Sequence, residues 1–360
     1  TVSGTYNAGA SETIASTASA NTVKVNIYKD GAAWSASGMK VTLYNGTTET
    51  SYTATVSSGS QATLTAVPNG TYNVYAGKDS SNKTTLLDSG VDVTVNNNDP
   101  TAVTVNYYSV TLKKGTAVSA VSNGGTANEN AKQYLYITGG TQQDIAINAT
   151  VATDATWVTW TKTSGTTPAT FTATTQSQNI KLAAGAVELT ANAIAKPTIT
   201  RSDFNTFSFS AAGAVAYYVS TSSTAPTMGA SQTGFALNKW TTATSTGDLT
   251  LAENTTYYVW AESATSGGVR SAANSIAVRK ITRSQGTGTT LTTRYDATTA
   301  SNGTAFTDAS KLVLNGTPFW ASATANDGYR GLSLKHGSTA ITTTGGTFNA
   351  TTSESIASLA

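Results

Sequence analysis

The chain has 360 residues, a formal net charge of +2 and no cysteine, and only 11% of its residues are charged. That excludes a disulfide framework, a thiolate nucleophile and a Cys-based zinc site, and the lack of a basic run argues against a nucleic-acid groove or a polybasic membrane patch. No apolar stretch approaches the roughly 18 residues that a membrane-spanning helix needs. Ser and Thr together number 110, yet 16 Tyr, 8 Phe and 6 Trp sit in short alternating runs, unlike a disordered chain. Thr, Val, Tyr and Ile suit a pleated, half-buried surface, and no long stretch has helical periodicity. The expectation is an all-β protein, too long for one sandwich and so built of several.

Residues 22–28 read TVKVNIY, with Val23, Val25 and Ile27 on one face and Lys24 and Asn26 on the other. MKVTLYNG (39–46), SYTATV (51–56), QATLTAV (61–67), TYNVYAG (71–77), VDVTV (91–95) and AVTVNYY (102–108) follow, broken at Asn45-Gly46, Ser58-Gly59 and Pro68-Asn69-Gly70. Short alternating strands with frequent turn signals predict a β-sandwich over 22–107. The stretch resembles the transthyretin-like or Cna-B-like modules of Gram-positive surface proteins. Some of those carry a Lys–Asn crosslink, for which Lys24 is the first-strand lysine. Alternation places it on the outer face, where a solvated lysine is the simpler reading.

Residues 108–195 contain YSVTLKKG, DIAINATVATDATWVTW and ATFTATT. They resemble the Thr-rich repeats of Listeria and Bacteroides surface proteins, with Trp157 and Trp160 at the aromatic positions. Residues 196–280 contain DLTLAENTTYYVWAES, which resembles the penultimate strand of fibronectin type III domains. The resemblance implies that Tyr257 or Tyr258 is a corner tyrosine bonded back to the preceding loop. Residues 281–360 end in TFNATT (347–352), close to TFTATT (170–175), so this last module reads as a cousin of the second.

The two ends match each other. Residues 4–16 (GTYNAGASETIAS) and 346–358 (GTFNATTSESIAS) are identical at nine of thirteen positions without a gap. Glu is rare in this chain, so the aligned Glu carries weight. Repetition at a fixed period marks an array. The segment 1–21 therefore reads as the end of a module whose remaining strands lie elsewhere, and a lone strand cannot bury its apolar face or pair its backbone. Two arrangements supply a neighbour. Either the chain is one period of a longer tandem array, which we prefer, or the segment is donated to another copy as a β-strand. Tyr6, Ile14, Phe348 and Ile356 are the expected assembly-strand residues.

Few residues suggest chemistry. The single histidine, His336, lies in a turn-like LKHGST and has no G-x-S-x-G companion. Neither HExxH nor a phosphate-binding loop occurs. Asn96-Asn97-Asn98-Asp99-Pro100 is the densest oxygen cluster, and Asp92, Asn97 and Asp99 are the candidate Ca²⁺ ligands, although such runs ordinarily mark turns. No other cofactor is expected. Trp34, Trp157, Trp160, Trp240, Trp260 and Trp320 are candidate sugar-stacking platforms, but most Trp in small β-domains is core, and Trp34, in a loop-like stretch, is the best candidate for an exposed glycan contact. The eight Asn-x-Ser/Thr sites match about what chance gives in so Ser/Thr-rich a chain.

The sequence thus describes an all-β tandem array of four Ig-like sandwiches with an N-terminal strand that pairs with a neighbouring unit. It points to a non-enzymatic extracellular or cell-surface protein, bacterial or less readily phage or archaeal, partnered by copies of itself, by adjacent repeats or by surface glycans. The alternative is a carbohydrate-binding accessory region of a secreted polysaccharide-degrading enzyme.

Overall fold

The computed structural model describes residues 20–123, 126, 127, 130, 132–136, 143–263 and 268–359. Every helix-or-strand element among them is a β-strand. In chain order they are β1 (Asn21–Lys29), β2 (Ala32–Ala33), β3 (Lys40–Asn45), β4 (Thr48–Thr55), β5 (Gln61–Val67), β6 (Gly70–Gly77), β7 (Leu86–Val95), β8 (Val103–Lys114), β9 (Val118–Asn123), β10 (Thr126–Ala127), β11 (Lys132–Tyr136), β12 (Ile145–Val151), β13 (Thr156–Gly165), β14 (Ser177–Ile180) and β15 (Val187–Ile194). Then come β16 (Thr198–Arg201), β17 (Phe207–Ser210), β18 (Ala214–Ser220), β19 (Trp240–Thr241), β20 (Thr256–Ser263), β21 (Asn274–Gln285), β22 (Thr289–Tyr295), β23 (Thr304–Ala305), β24 (Ser310–Leu314), β25 (Pro318–Ala325), β26 (Ser333–His336), β27 (Thr339–Ile341), β28 (Gly346–Asn349) and β29 (Glu354–Leu359).

The chain divides into two compact units. One is built on residues up to Lys113 with Val121–Asn148 and Thr161–Thr190; the other on Lys114–Ala120, Ala149–Trp160 and Ala191–Ala360.

In the first unit the alternation of β1 decides its role. Val23, Val25 and Ile27 are fully buried and Lys24 is exposed. Their face packs with Val41 and Leu43 of β3, Val74 and Ala76 of β6, and Val93 and Val95 of β7. Each fully buried Val or Ile stabilises the sandwich by roughly 1.5–3 kcal/mol. The outer sheet runs β4-β3-β6-β7. The facing sheet runs β13-β15-β8-β1-β2, with β5 beside β1 and β11 beside β8.

β8 is the seam of that sheet. Its residues Val103–Tyr107 run parallel to Val25–Lys29, and Tyr107–Thr111 run antiparallel to Lys132–Tyr136. Val105 and Tyr107 belong to the first core, while Val110 and Leu112, further along the same strand, are also fully buried. The change of module read at 107/108 therefore falls inside an unbroken strand.

The second unit repeats this device. Residues Asn274–Ala277 of β21 pair with β20, Val278–Thr282 with β24, and Ile281–Gln285 run parallel to β29. Val278 and Leu314 pack with Phe207, Phe209 and Tyr257. Ile281, three residues further along β21, and Val313, next to Leu314 in β24, pack with Phe319, Leu334 and Ile356. The 280/281 change likewise falls within one strand whose side chains serve two cores.

Strand order ties the segment from β8 to β15 to the segment from β21 to β29. The orders β11-β8-β15-β13 and β10-β9-β12-β14 recur as β24-β21-β29-β26 and β23-β22-β25-β28, with β27 added at an edge. The hexapeptide likeness does not mark equivalent positions, however. Residues 347–352 cover the end of β28 and the turn after it, whereas 170–175 precede β14.

Candidate functional site

The C-terminal copy of the repeated segment forms two strands in two different sheets. GTFN is β28, an edge strand beside β25; ESIASL is β29, an interior strand between β21 and β26. Of the residues identical in the N-terminal copy, Ala350, Ile356 and Ser358 are buried in the module, whereas Thr347, Asn349 and Ser353 are exposed. Ile356 is fully buried. Phe348 lies nearly parallel to Phe319, with centroids 5.4 Å apart, and stacks on His336 at 3.8 Å. The Glu354 carboxylate meets Nε2 of His336 and also accepts the Thr352 hydroxyl at 2.7 Å. Phe348 and Ile356 thus complete their own module here. Tyr6 and Ile14, with the whole stretch 1–19, lie outside the described residues.

His336 is a correction to the sequence reading. It is the last residue of β26, paired with Ile356 across the ladder, and its side chain is only 20% exposed. The turn begins one residue later, at Gly337, so the glycine misled. The repeat had already singled out the glutamate that pairs with it, but nothing local named the histidine as its partner.

Each calcium candidate has a side-chain oxygen engaged by a protein donor. Oδ1 of Asp99 accepts the Thr22 N–H at 2.7 Å. Asn97 and Asn69 exchange bonds: the Asn69 amide donates to Asn97 Oδ1 at 2.6 Å, and the Asn97 N–H donates to Asn69 Oδ1 at 2.8 Å. Oδ1 of Asp92 accepts from the Asn73 amide at 2.9 Å, across the β6–β7 ladder. Asn97 has φ 58°, a left-handed conformation that Asn tolerates in turns. These oxygens hold the turn and sheet together, and among the described residues no group of three His, Asp or Glu side chains could hold a metal.

Trp34 is less open than its loop-like stretch suggests. It is half-buried against the first core, edge-on to Tyr107 at 5.3 Å, and the Lys29 ammonium sits over its ring at 4.3 Å. A sugar would have to displace that cation to stack there. On the outer sheet Tyr44 and Tyr75 are half-buried and stacked on each other at 3.7 Å, so one face of each is covered. Trp240 and Trp260 are buried together with Ala216, whereas Val259 faces the opposite core. Tyr257 is buried and donates its hydroxyl to the Thr250 carbonyl at 3.3 Å, the back-bond expected of a corner tyrosine.

A cluster the sequence did not reveal lies in the second unit. Phe204, in the turn between β16 and β17, packs edge-on to Tyr295 at 4.8 Å, and the Lys311 ammonium lies within 4.5 Å of both rings. Its N–H is shared by Asp203 Oδ1 and Asp296 Oδ2, and its carbonyl accepts from Leu314 N–H at 2.7 Å. Arg201 donates to Asp296 Oδ1 at 2.6 Å. Burial, then the neighbouring Asp203, push the Asp296 carboxyl up to about 6. The hydrogen bond from Asp296 holds Asp203 below its ordinary value. Two carboxyls sharing one proton behave this way, because one ionises at the other's expense.

No protein-family model matches the chain, and no curated protein sequence matches it.

Proposed function

We propose that the chain is a structural protein of the cell exterior: a repeat unit of a surface stalk, adhesin shaft or filament, made of β-sandwich modules and joined to further copies or repeats through shared strands. The observation that carries the reading is that β8 and β21 each pass unbroken from one set of strand partners to another. A junction made of continuous strand cannot swivel as a linker of free residues can, because bending it breaks ladder hydrogen bonds. A module that hands its last strand to its successor is suited to extension in series.

The repeated segment suggests how units meet. In its C-terminal copy, Phe348, Glu354 and Ile356 engage β25, β26 and the core. The N-terminal copy keeps an aromatic, the Glu and the Ile at Tyr6, Glu12 and Ile14. It therefore holds the side chains that a like module needs in its last two strands. The accessory carbohydrate-binding alternative requires an open aromatic face, and the lysine over Trp34 and the mutual stacking of Tyr44 and Tyr75 weigh against it.

Electron microscopy of the purified chain, with and without residues 1–18, tests the proposal. Regular fibres that vanish on the deletion, or on Ile14→Glu, are the expected result. A chain that stays monomeric at high concentration overturns assembly through this segment.

A further inference from the structure

The two parallel strand pairs have a mechanical consequence. β1 opens the first sandwich and β8 closes it; they run parallel with the register Val25↔Val103 to Lys29↔Tyr107. In the second unit β21 leads into the module that β29 closes, again parallel, from Ile281↔Glu354 to Gln285↔Ser358. Tension along the chain pulls an opening strand by its N-terminal end and a closing strand by its C-terminal end. For parallel neighbours those forces are opposed along the strand axis. The inter-strand bonds lie across the load and share it. In an antiparallel pair loaded at adjacent ends, the bonds would break one at a time.

Both pairs carry polar bonds at the end where the opening strand stops. Asp30, directly after β1, accepts the Ser109 N–H and the Ser109 hydroxyl, each at 2.9 Å, and donates its own N–H to the Tyr107 carbonyl at 2.9 Å. Gly286, directly after β21, donates its N–H to Ser358 at 2.8 Å, and the Thr289 and Ser358 hydroxyls meet at 2.7 Å in a buried position. Different residues extend the clamp by one further step at the same place.

We propose that β1–β8 and β21–β29 are shear clamps that bear tension along the chain, with Asp30–Ser109 locking the first. This rests on the structural reading above and deepens it to the strands that carry the load.

Single-molecule force spectroscopy on the full chain tests it. The chain has no cysteine, so introduced pairs are the only thiol handles. Ala20, Thr101 and Lys114 are exposed. Handles on Ala20→Cys and Lys114→Cys load β1 against β8 in shear; handles on Ala20→Cys and Thr101→Cys draw apart the two N-terminal ends and unzip the same pair. At equal loading rate the shear geometry is expected to rupture at no less than about twice the unzipping force, since forced unfolding follows the barrier along the pulled direction. Asp30→Ala lowers the shear force and leaves the unzipping force unchanged, whereas a merely destabilising change lowers both. Ser109→Ala, which removes only the hydroxyl bond, gives the same pattern to a smaller degree and serves if Asp30→Ala misfolds. Equal forces in the two geometries, or a parallel drop in both, overturn the clamp. Fibres without this anisotropy leave the assembly reading standing and remove the clamp; anisotropy without fibres does the reverse.

Discussion

Tyr107 donates its hydroxyl to the Gly77 carbonyl at 2.6 Å. The bond crosses the first sandwich, from β8 to the end of β6, and the ring is fully buried beside Trp34 and Met39. Burial raises the phenol far above its ordinary value, so it stays a donor at any working pH. Tyr107→Phe keeps the packing and removes the bond. It is expected to cost about 1–2 kcal/mol, read as a lower urea midpoint at unchanged slope.

Gly77 has no room for a side chain. A Cβ there would lie 2.2 Å from the Lys83 carbonyl oxygen and 2.5 Å from the Met39 sulfur. The sulfur can turn away, but the backbone oxygen cannot do so without breaking the Lys40 N–H bond to the same carbonyl. Gly77→Ala is therefore expected to destabilise the first unit by at least about 2 kcal/mol, measured by tryptophan fluorescence during urea unfolding.

The Asp203–Asp296 pair makes the second unit pH-dependent. Unfolded, Asp296 ionises near 3.8; folded, near 6. Between those values the unfolded chain binds fewer protons, so stability falls as pH rises from about 4 to 6 and levels off above. Asp203 acts in the opposite sense: its folded value is depressed, so its contribution is present above the ordinary carboxyl value and lost as pH falls further. The melting temperature should pass through a maximum near pH 4. Asp296→Asn should flatten the limb between 4 and 6; a limb that persists would place the proton elsewhere.

His336 ties the module's last strand to β26 through Glu354 and to β28 through Phe348. His336→Ala removes both contacts and leaves a mostly buried carboxylate without its imidazole. A loss of about 2–3 kcal/mol is expected. Hydrogen exchange should show β29 amides losing protection while those of β1 do not change.

Much of the core was legible because a strand's side chains alternate with period two. TVKVNIY places Val23, Val25 and Ile27 inside and Lys24 outside before any partner is known, and the structure agrees. The choice between Tyr257 and Tyr258 came from the resemblance to fibronectin type III domains rather than from alternation, and the structure gives Tyr257 the bond to the Thr250 carbonyl. The settings of His336 and Trp34 were not legible because what covers or engages those side chains comes from other strands, whereas the Asn/Asp/Pro run at 96–100 carries the ordinary turn reading, and Asn97 takes the left-handed conformation of a turn.

Local pattern in the sequence alone determined that this is a β-protein, which faces of its strands are apolar, and that its two ends carry one motif. Only the tertiary structure decided which strands lie side by side. The parallel pairings of β1 with β8 and of β21 with β29, the joining of Asp30 to Ser109 across 79 residues and of Glu354 to His336, and the passage of two strands through expected module boundaries all depend on pairing between distant segments. A strand's sequence specifies its two faces. Its two hydrogen-bonding edges are backbone, alike in every strand, so their partners are settled by which cores the faces fill.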